Sequence, residues 1–187
     1  MNEFIKMELD EAKSLMEKAL AHTDLEFTKI RAGKASVGML DGIMAEYYGA
    51  PTPLAQIANI NTPDARTIVV QPWEKAMINP IEKAIMEANI GLNPQNDGIV
   101  IRLNVPPLTE ERRRDLVKKV KEEAESGRIA IRNIRKNTNE SIKKLKNDGA
   151  SEDEIKLGEA EVQKLTDSYI AKVDHLAEIK EKDVMTV

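Results

Sequence analysis

The chain has 187 residues, 32% of them charged and only 3% aromatic, with a net charge of −4. That length allows one domain or two small ones, and any core must be aliphatic, a mix that suits long exposed helices better than a compact enzyme interior. With no cysteine, disulfides and thiolate metal sites are excluded, and no apolar run approaches the roughly 20 residues of a membrane span.

The start, Met1-Asn2-Glu3-Phe4-Ile5-Lys6, lacks the basic-then-apolar order of a signal peptide, so a cytoplasmic protein is expected. From 2 to 30, Ile5, Leu9, Ala12, Met16, Ala19, Thr23, Phe27 and Ile30 step by threes and fours, which predicts an amphipathic helix. Gly33 interrupts that pattern, and Gly38 and Gly42 follow. Residues 43–48 read as a strand closed by Gly49-Ala50-Pro51, and 57–60 as a short second strand. Residues 66–71 form a third, carried by β-branched side chains and broken by Pro72-Trp73-Glu74. Trp73, the single tryptophan, is expected to plug the core of a small domain. Ile78, Ile81, Ile85 and Met86 give 77–87 helical spacing, with Pro80 in the first turn, where its missing N–H costs nothing. Residues 93–98 read as a turn cluster, 99–103 as a fourth strand, and Pro106-Pro107 closes this middle region.

A long helix is then predicted over 109–146, with Thr109 as its cap and Glu110 and Glu111 where the dipole favours acids. Its seam runs through Val117, Val120, Ala124, Gly127, Ile131, Ile134, Thr138, Ile142 and Leu145. About 38 residues would extend roughly 57 Å, a length few compact folds need. The helix ends near Asn147-Asp148-Gly149. Ser151 and Glu154 have capping-box spacing and start a last helix, with a seam at Ile155, Val162, Leu165, Tyr169, Val173, Leu176 and Ile179.

Three long amphipathic helices cannot bury their stripes alone, so a bundle is expected from 1–30 plus 106–187. The segment 34–105 is inserted between the first two as a small β/α/β domain, which makes the fold class α+β. Two adjacent covalent crossings permit a hinge. One joint, near 31–33, carries Gly33; the other, near 104–107, carries Val105, Pro106 and Pro107.

Beside the seam of the long helix runs a second row: Arg128, Arg132, Arg135, Lys136, Asn139, Lys143 and Lys146. From 106 to 146 there are thirteen Lys and Arg against seven Asp and Glu, on an otherwise acidic chain. Such a rod favours one directed contact with a polyanion over indiscriminate coating. Arginine dominates at 128, 132 and 135 and suits phosphate forks. Acids are absent from 127 to 139, so no salt-bridge ladder is expected to neutralise the row. His22 and His175 are far apart, no acidic cluster has ligand spacing, and no Gly-rich phosphate loop precedes a lysine. No metal, no cofactor and no catalytic residues are therefore expected.

Arg31-Ala32-Gly33-Lys34-Ala35 is close to the Arg-x-Gly-Arg-Ala element of the ribosome recycling factors. Tyr47-Tyr48-Gly49, Thr52-Pro53-Leu54, Ala65-Arg66-Thr67, Pro72-Trp73-Glu74, Ile81-Glu82-Lys83-Ala84-Ile85 and Leu92-Asn93-Pro94 follow in that family's order. So do Asn96-Asp97-Gly98, Pro107-Leu108-Thr109-Glu110-Glu111-Arg112-Arg113 and Arg132-Asn133-Ile134-Arg135. The resemblance covers essentially the whole chain. It implies an L-shaped molecule, with a three-helix arm on large-subunit ribosomal RNA and a small domain that meets elongation factor G. It also implies a monomer that is not itself a catalyst, and that acts with elongation factor G and GTP to split the post-termination ribosome for new initiation. Residue by residue, it makes Arg132 the foremost RNA contact, with Arg31, Arg112, Arg128 and Arg135 as further basic positions on that arm. Lys34 stands where the family has arginine and lacks the bidentate fork. Val37-Gly38 replaces Pro-Ser beside the first joint. The competing expectation is a helical adaptor that recruits a partner helix without RNA; a small enzyme ranks last, because no nucleophile–base pair is in sight.

Overall fold

The computed structural model describes residues 2–30 and 32–186. The chain divides into two compact units: Met1–Ala32 with Glu110–Val187, and Gly33–Thr109.

The first unit consists of α1 (Glu3–Lys29), α3 (Glu110–Lys144) and α4 (Glu152–Met185). Asn2 caps α1 by accepting the Phe4 N–H through its side chain at 2.9 Å. A short 3-10 turn, Leu145–Asp148, ends α3 and leads to Gly149 at φ 90°, a left-handed conformation that favours glycine. The expected capping box is present: the Ser151 hydroxyl accepts from the Glu154 N–H, and the Glu154 carboxylate accepts from the Ser151 N–H. Ile5, Met16, Val120, Ile131, Ile142, Val162 and Val173 are wholly buried where the three stripes meet. Tyr169 donates its hydroxyl to Glu17 at 3.0 Å, while Ile5 lies against Gly158. Residues about equally spaced along both helices thus meet, so α1 and α4 run parallel with α3 antiparallel to them.

The seams differ from the sequence reading in detail. Leu116, not Val117, is buried at the start of α3, while Ile134 and Leu145 are half-buried. A straight helix drifts about 20° per heptad against a 3.5-residue repeat, so over so long a helix the buried face moves to the neighbouring position. On α4 the small residues Gly158, Thr166 and Ala177 occupy the seam; Leu165 and Leu176 flank it, and Ile179 is exposed. Close helix approach selects small side chains there. Gly127 shows the same constraint: a Cβ would lie 2.5 Å from Thr23 Oγ1 and 3.2 Å from its Cγ2.

The second unit holds a two-stranded hairpin, β1 (Met44–Tyr47) with β2 (Ala50–Pro53), and an antiparallel sheet. The sheet comprises β3 (Ala58–Asp64), β4 (Thr67–Pro72), β5 (Pro94–Asn96) and β6 (Ile101–Asn104), in the order β3-β4-β6-β5. One helix, α2 (Ile78–Glu87), joins the same core. Ile68, Val70, Ile101 and Leu103 alternate inward from β4 and β6 and meet Ile81 and Ile85 of α2. As expected, Pro80 lies in the first turn of that helix. β2 and β5 were not expected, because prolines masked them. Pro51 and Pro53 sit in a strand paired only with β1, and Pro94 opens an edge strand, so none has to donate to a second neighbour. Trp73 is not a core plug; it is 60% exposed. With Ile68 and Val70 inward, the two-residue period of β4 turns position 73 outward. Val105, expected at a joint, is buried in this unit's core.

Gly127→Ala tests the helix approach. Alanine would gain about 1 kcal/mol of helix propensity, but Thr23 is stiff at χ1 and buried, so overpacking at about 1–3 kcal/mol should win. The thermal midpoint should fall, and Thr23→Ala in the same chain should recover part of the loss. An unchanged midpoint in the single variant would refute the constraint.

Candidate nucleic-acid interface

The helical period brings Arg128, Arg132, Arg135 and Lys136 to one side of α3, bordering α4. Their partners define that groove. Arg128 reaches Asp174 of α4 at 2.7 Å and Glu125 of its own helix at 3.0 Å. Arg135 donates to Gln163 Oε1 at 3.3 Å, and Gln163 in turn donates to Asp167 at 2.8 Å. Lys143 meets Glu159 at 3.4 Å, and Lys146 meets Glu152 at 2.7 Å. The rungs follow one antiparallel register, which sets Arg132 against the turn of α4 at 166–170. The carboxylate on that turn, Asp167, accepts from Gln163 at 2.8 Å, and among the described residues Arg132 makes no ion pair to α4.

The expectation of an unneutralised row is therefore corrected. No acid lies between 127 and 139, but Glu125 sits one turn earlier and α4 supplies the rest. Glu125 forks between two arginines, accepting from Arg128 Nη1 at 3.0 Å and from Arg132 Nη1 at 3.2 Å. Those two hydrogen bonds, Arg128 first, hold its carboxyl below the ordinary glutamate range. Half-burial of Arg128 opposes its charge, but its hydrogen bonds to Asp174 and then Glu125 outweigh this and hold it above its ordinary value.

The cations are not equivalent. The Arg128 side chain is 26% exposed and tied on both sides, whereas Arg132 is 45% exposed and tied only to Glu125. Lys136 is exposed, with no hydrogen bond or ion pair among the described residues. Asn139 on the same row leaves its Oδ1 buried and unpaired. Arg112 stands apart. It lines a cleft of about 440 Å³ between α1 and α3 with Glu26, Lys29, Lys119 and Glu122, where both signs mix. Lys34 belongs to the other unit, and like Arg112 it has a partner within the protein. Arg31 lies outside the described residues.

Of the residues that shape this face, Glu125 could have been read from its three- and seven-residue spacing to the arginines. Asp174 and Gln163 could not, because the register between α3 and α4 is not written in either helix alone. His22 and His175 join no metal site: the described residues contain no group of three or more His, Asp or Glu able to hold an ion. Nor is any described helix long and apolar enough to cross a membrane.

A family model described as Ribosome recycling factor matches residues 23–185. A ribosome-recycling factor of Cytophaga hutchinsonii is 59% identical over 185 residues, covering 99% of this chain and 100% of that one. One of Flavobacterium psychrophilum is 56% identical over 187 residues, covering all of both. A solution structure of ribosome recycling factor matches with a TM-score of 0.71 at 40% identity, over 100% of both chains. A T. thermophilus ribosome recycling factor, bound with E. coli elongation factor G to the E. coli post-termination complex, matches with a TM-score of 0.60. That match is at 47% identity and covers 97% of this chain and 99% of the other.

The lowered carboxyl of Glu125 gives a pH test. A folded-state value below the unfolded one contributes stability above the unfolded pKa, and loses it as pH falls through the folded value. In thermal melts Glu125→Gln should therefore be less stable than the parent at neutral pH, and the gap should close on acidification through the carboxylate range. A gap that widens towards acid would contradict the fork.

Proposed function

This chain belongs to the ribosome recycling factor family, and from that membership we propose that it acts with elongation factor G and GTP to split the post-termination ribosome into subunits for a new round of initiation. It is a translation factor. We further propose that it works in the cytoplasm without catalysing a reaction itself, as a positioned wedge: the bundle docks on large-subunit RNA and the inserted unit takes the push of the GTPase.

The supporting observation is Arg132, a guanidinium on a long helix that is 45% exposed and tied to Glu125 alone, with no ion pair to α4 among the described residues. Intramolecular pairing does not disqualify the row, and magnitudes decide why. Partly exposed ion pairs are each worth about 0.2–1 kcal/mol, and phosphates can replace them in exchange. The pairs meanwhile hold the arginines extended, which lowers the ordering cost of docking. Arg132, Arg135 and Lys136 are proposed as the direct phosphate contacts, with Arg128 as a braced neighbour. Arg31, Lys34 and Arg112 are proposed as peripheral contacts, on the strength of the family pattern alone. RNA would be met through phosphate and shape, because this face carries no aromatic stacking side chains. The joints are proposed at 31–33 and from Pro106 onward, with Gly33 at φ 70° as the one residue the left-handed geometry demands. The adaptor alternative is disfavoured, because the seams of α1, α3 and α4 are already buried against one another.

Two measurements test the reading. Polysome breakdown with elongation factor G and GTP should depend on added protein; no dependence refutes the function. Arg132→Ala should weaken large-subunit binding about tenfold, and should flatten the slope of log affinity against log salt by about one. Its melting temperature should stay near the parent's. Unchanged affinity and slope would remove Arg132 from the interface.

A further inference from the structure

The Ala65-Arg66-Thr67 motif has no part in the cationic face, yet it occupies a particular place in the inserted unit. It is the turn between β3 and β4. Both strands of chain that enter and leave this unit are fastened to it. On the incoming side the Ala35 N–H donates to the Ala65 carbonyl at 2.7 Å. On the outgoing side the Val105 N–H donates to the Arg66 carbonyl at 2.7 Å, extending the β4–β6 ladder past its Thr67–Asn104 pair by one rung. The two strands also touch each other, because a Cβ at Gly33 would collide with the Leu108 side chain.

One side chain sets this turn. Asp64 Oδ1 accepts the Arg66 N–H at 2.8 Å, and its Oδ2 accepts the Thr67 hydroxyl at 3.0 Å. The β3–β4 register slips between Asn61 and Asp64, so Thr62 and Pro63 together oppose Ile68. A bulge of this kind bends the hairpin end and re-aims its backbone groups. Without the Asp64 brace, the two successive carbonyls would lose their fixed direction, and both crossing strands would lose their anchor together.

We propose that Asp64 is a positioning residue for ribosome splitting: through the β3–β4 turn it clamps the incoming and outgoing strands at Ala35 and Val105, leaving only short lengths of chain free to bend. A push on the inserted unit then turns it about a fixed place instead of being absorbed by slack in two independent linkers. This inference rests on the function proposed above. It goes beyond it by assigning the fixed end of the joint to a carboxylate remote from the arginine row in sequence, on the other unit.

Amide hydrogen exchange on the full chain, read residue by residue, tests the clamp, and subunit splitting with elongation factor G and GTP tests its use. In Asp64→Ala the Ala35 and Val105 amides should exchange about tenfold faster than in the parent, while Val70 in the middle of β4 keeps its rate. The splitting rate should fall several-fold while large-subunit affinity stays at the parent level. Asp64→Asn keeps the Oδ1 acceptor and should restore both readouts. Unchanged exchange at Ala35 and Val105 would overturn the clamp. So would acceleration shared by Val70, which would make the aspartate a general prop of the sheet. Faster exchange at the two amides with an undiminished splitting rate would overturn the positioning role. If the parent itself fails to split ribosomes, the proposed function fails, and the exchange comparison still reads the clamp.

Discussion

The shared burial of three apolar stripes is the constraint from which the other features descend. α3 is too long to be stable by propensity alone, and it persists because Val120, Ile131 and Ile142 are withdrawn from water by two partner helices. Once that stripe is fixed, the helical period leaves no choice about what borders it. The arginines at 128, 132 and 135 must lie along the α4 groove, and Arg112 must look elsewhere. The small residues at the seam, Gly127 and Gly158 above all, let the helices come close enough for their flanking side chains to meet across the groove.

That closeness explains how a cationic face can exist on an acidic protein. Glu125, Glu152, Glu159 and Asp174 restrain the row without burying it. Buried pairs would have carried a large desolvation cost and could not be exchanged for other anions. At half exposure, the same contacts are weak enough to give way and directional enough to hold guanidinium groups outstretched. Arg132, 45% exposed and tied to Glu125 alone, is also where the family resemblance places its foremost RNA contact.

Much of this was legible in the sequence, for physical reasons that can be named. The capping box at Ser151 and the first-turn proline at Pro80 are local signals with local causes, and both lie where expected. β-branched side chains over 66–71 and helical spacing over 77–87 identified a strand and a helix that are both present. What failed did so where tertiary context outweighs local chemistry. β2 and β5 carry prolines that only a free strand edge tolerates. Trp73 looked like core by type, but the parity of β4 turns it outward. Leu116 displaced Val117 because a small angular drift accumulates along a long helix. For the candidate site, the row was visible and Glu125 could have been read beside it, but the counter-charges on α4 could not. Pairing between α3 and α4 is a property of two helices together.

The outward turn of Trp73 has a practical corollary. It is the chain's single indole, and it stands on the surface of the inserted unit with most of its area in water. Its emission is therefore a built-in optical reporter. Contact that dries that surface shifts the colour of the light, whereas events confined to the helical bundle leave the spectrum unchanged. The absence of cysteine adds a second convenience, since any single thiol placed by design can be labelled without competition.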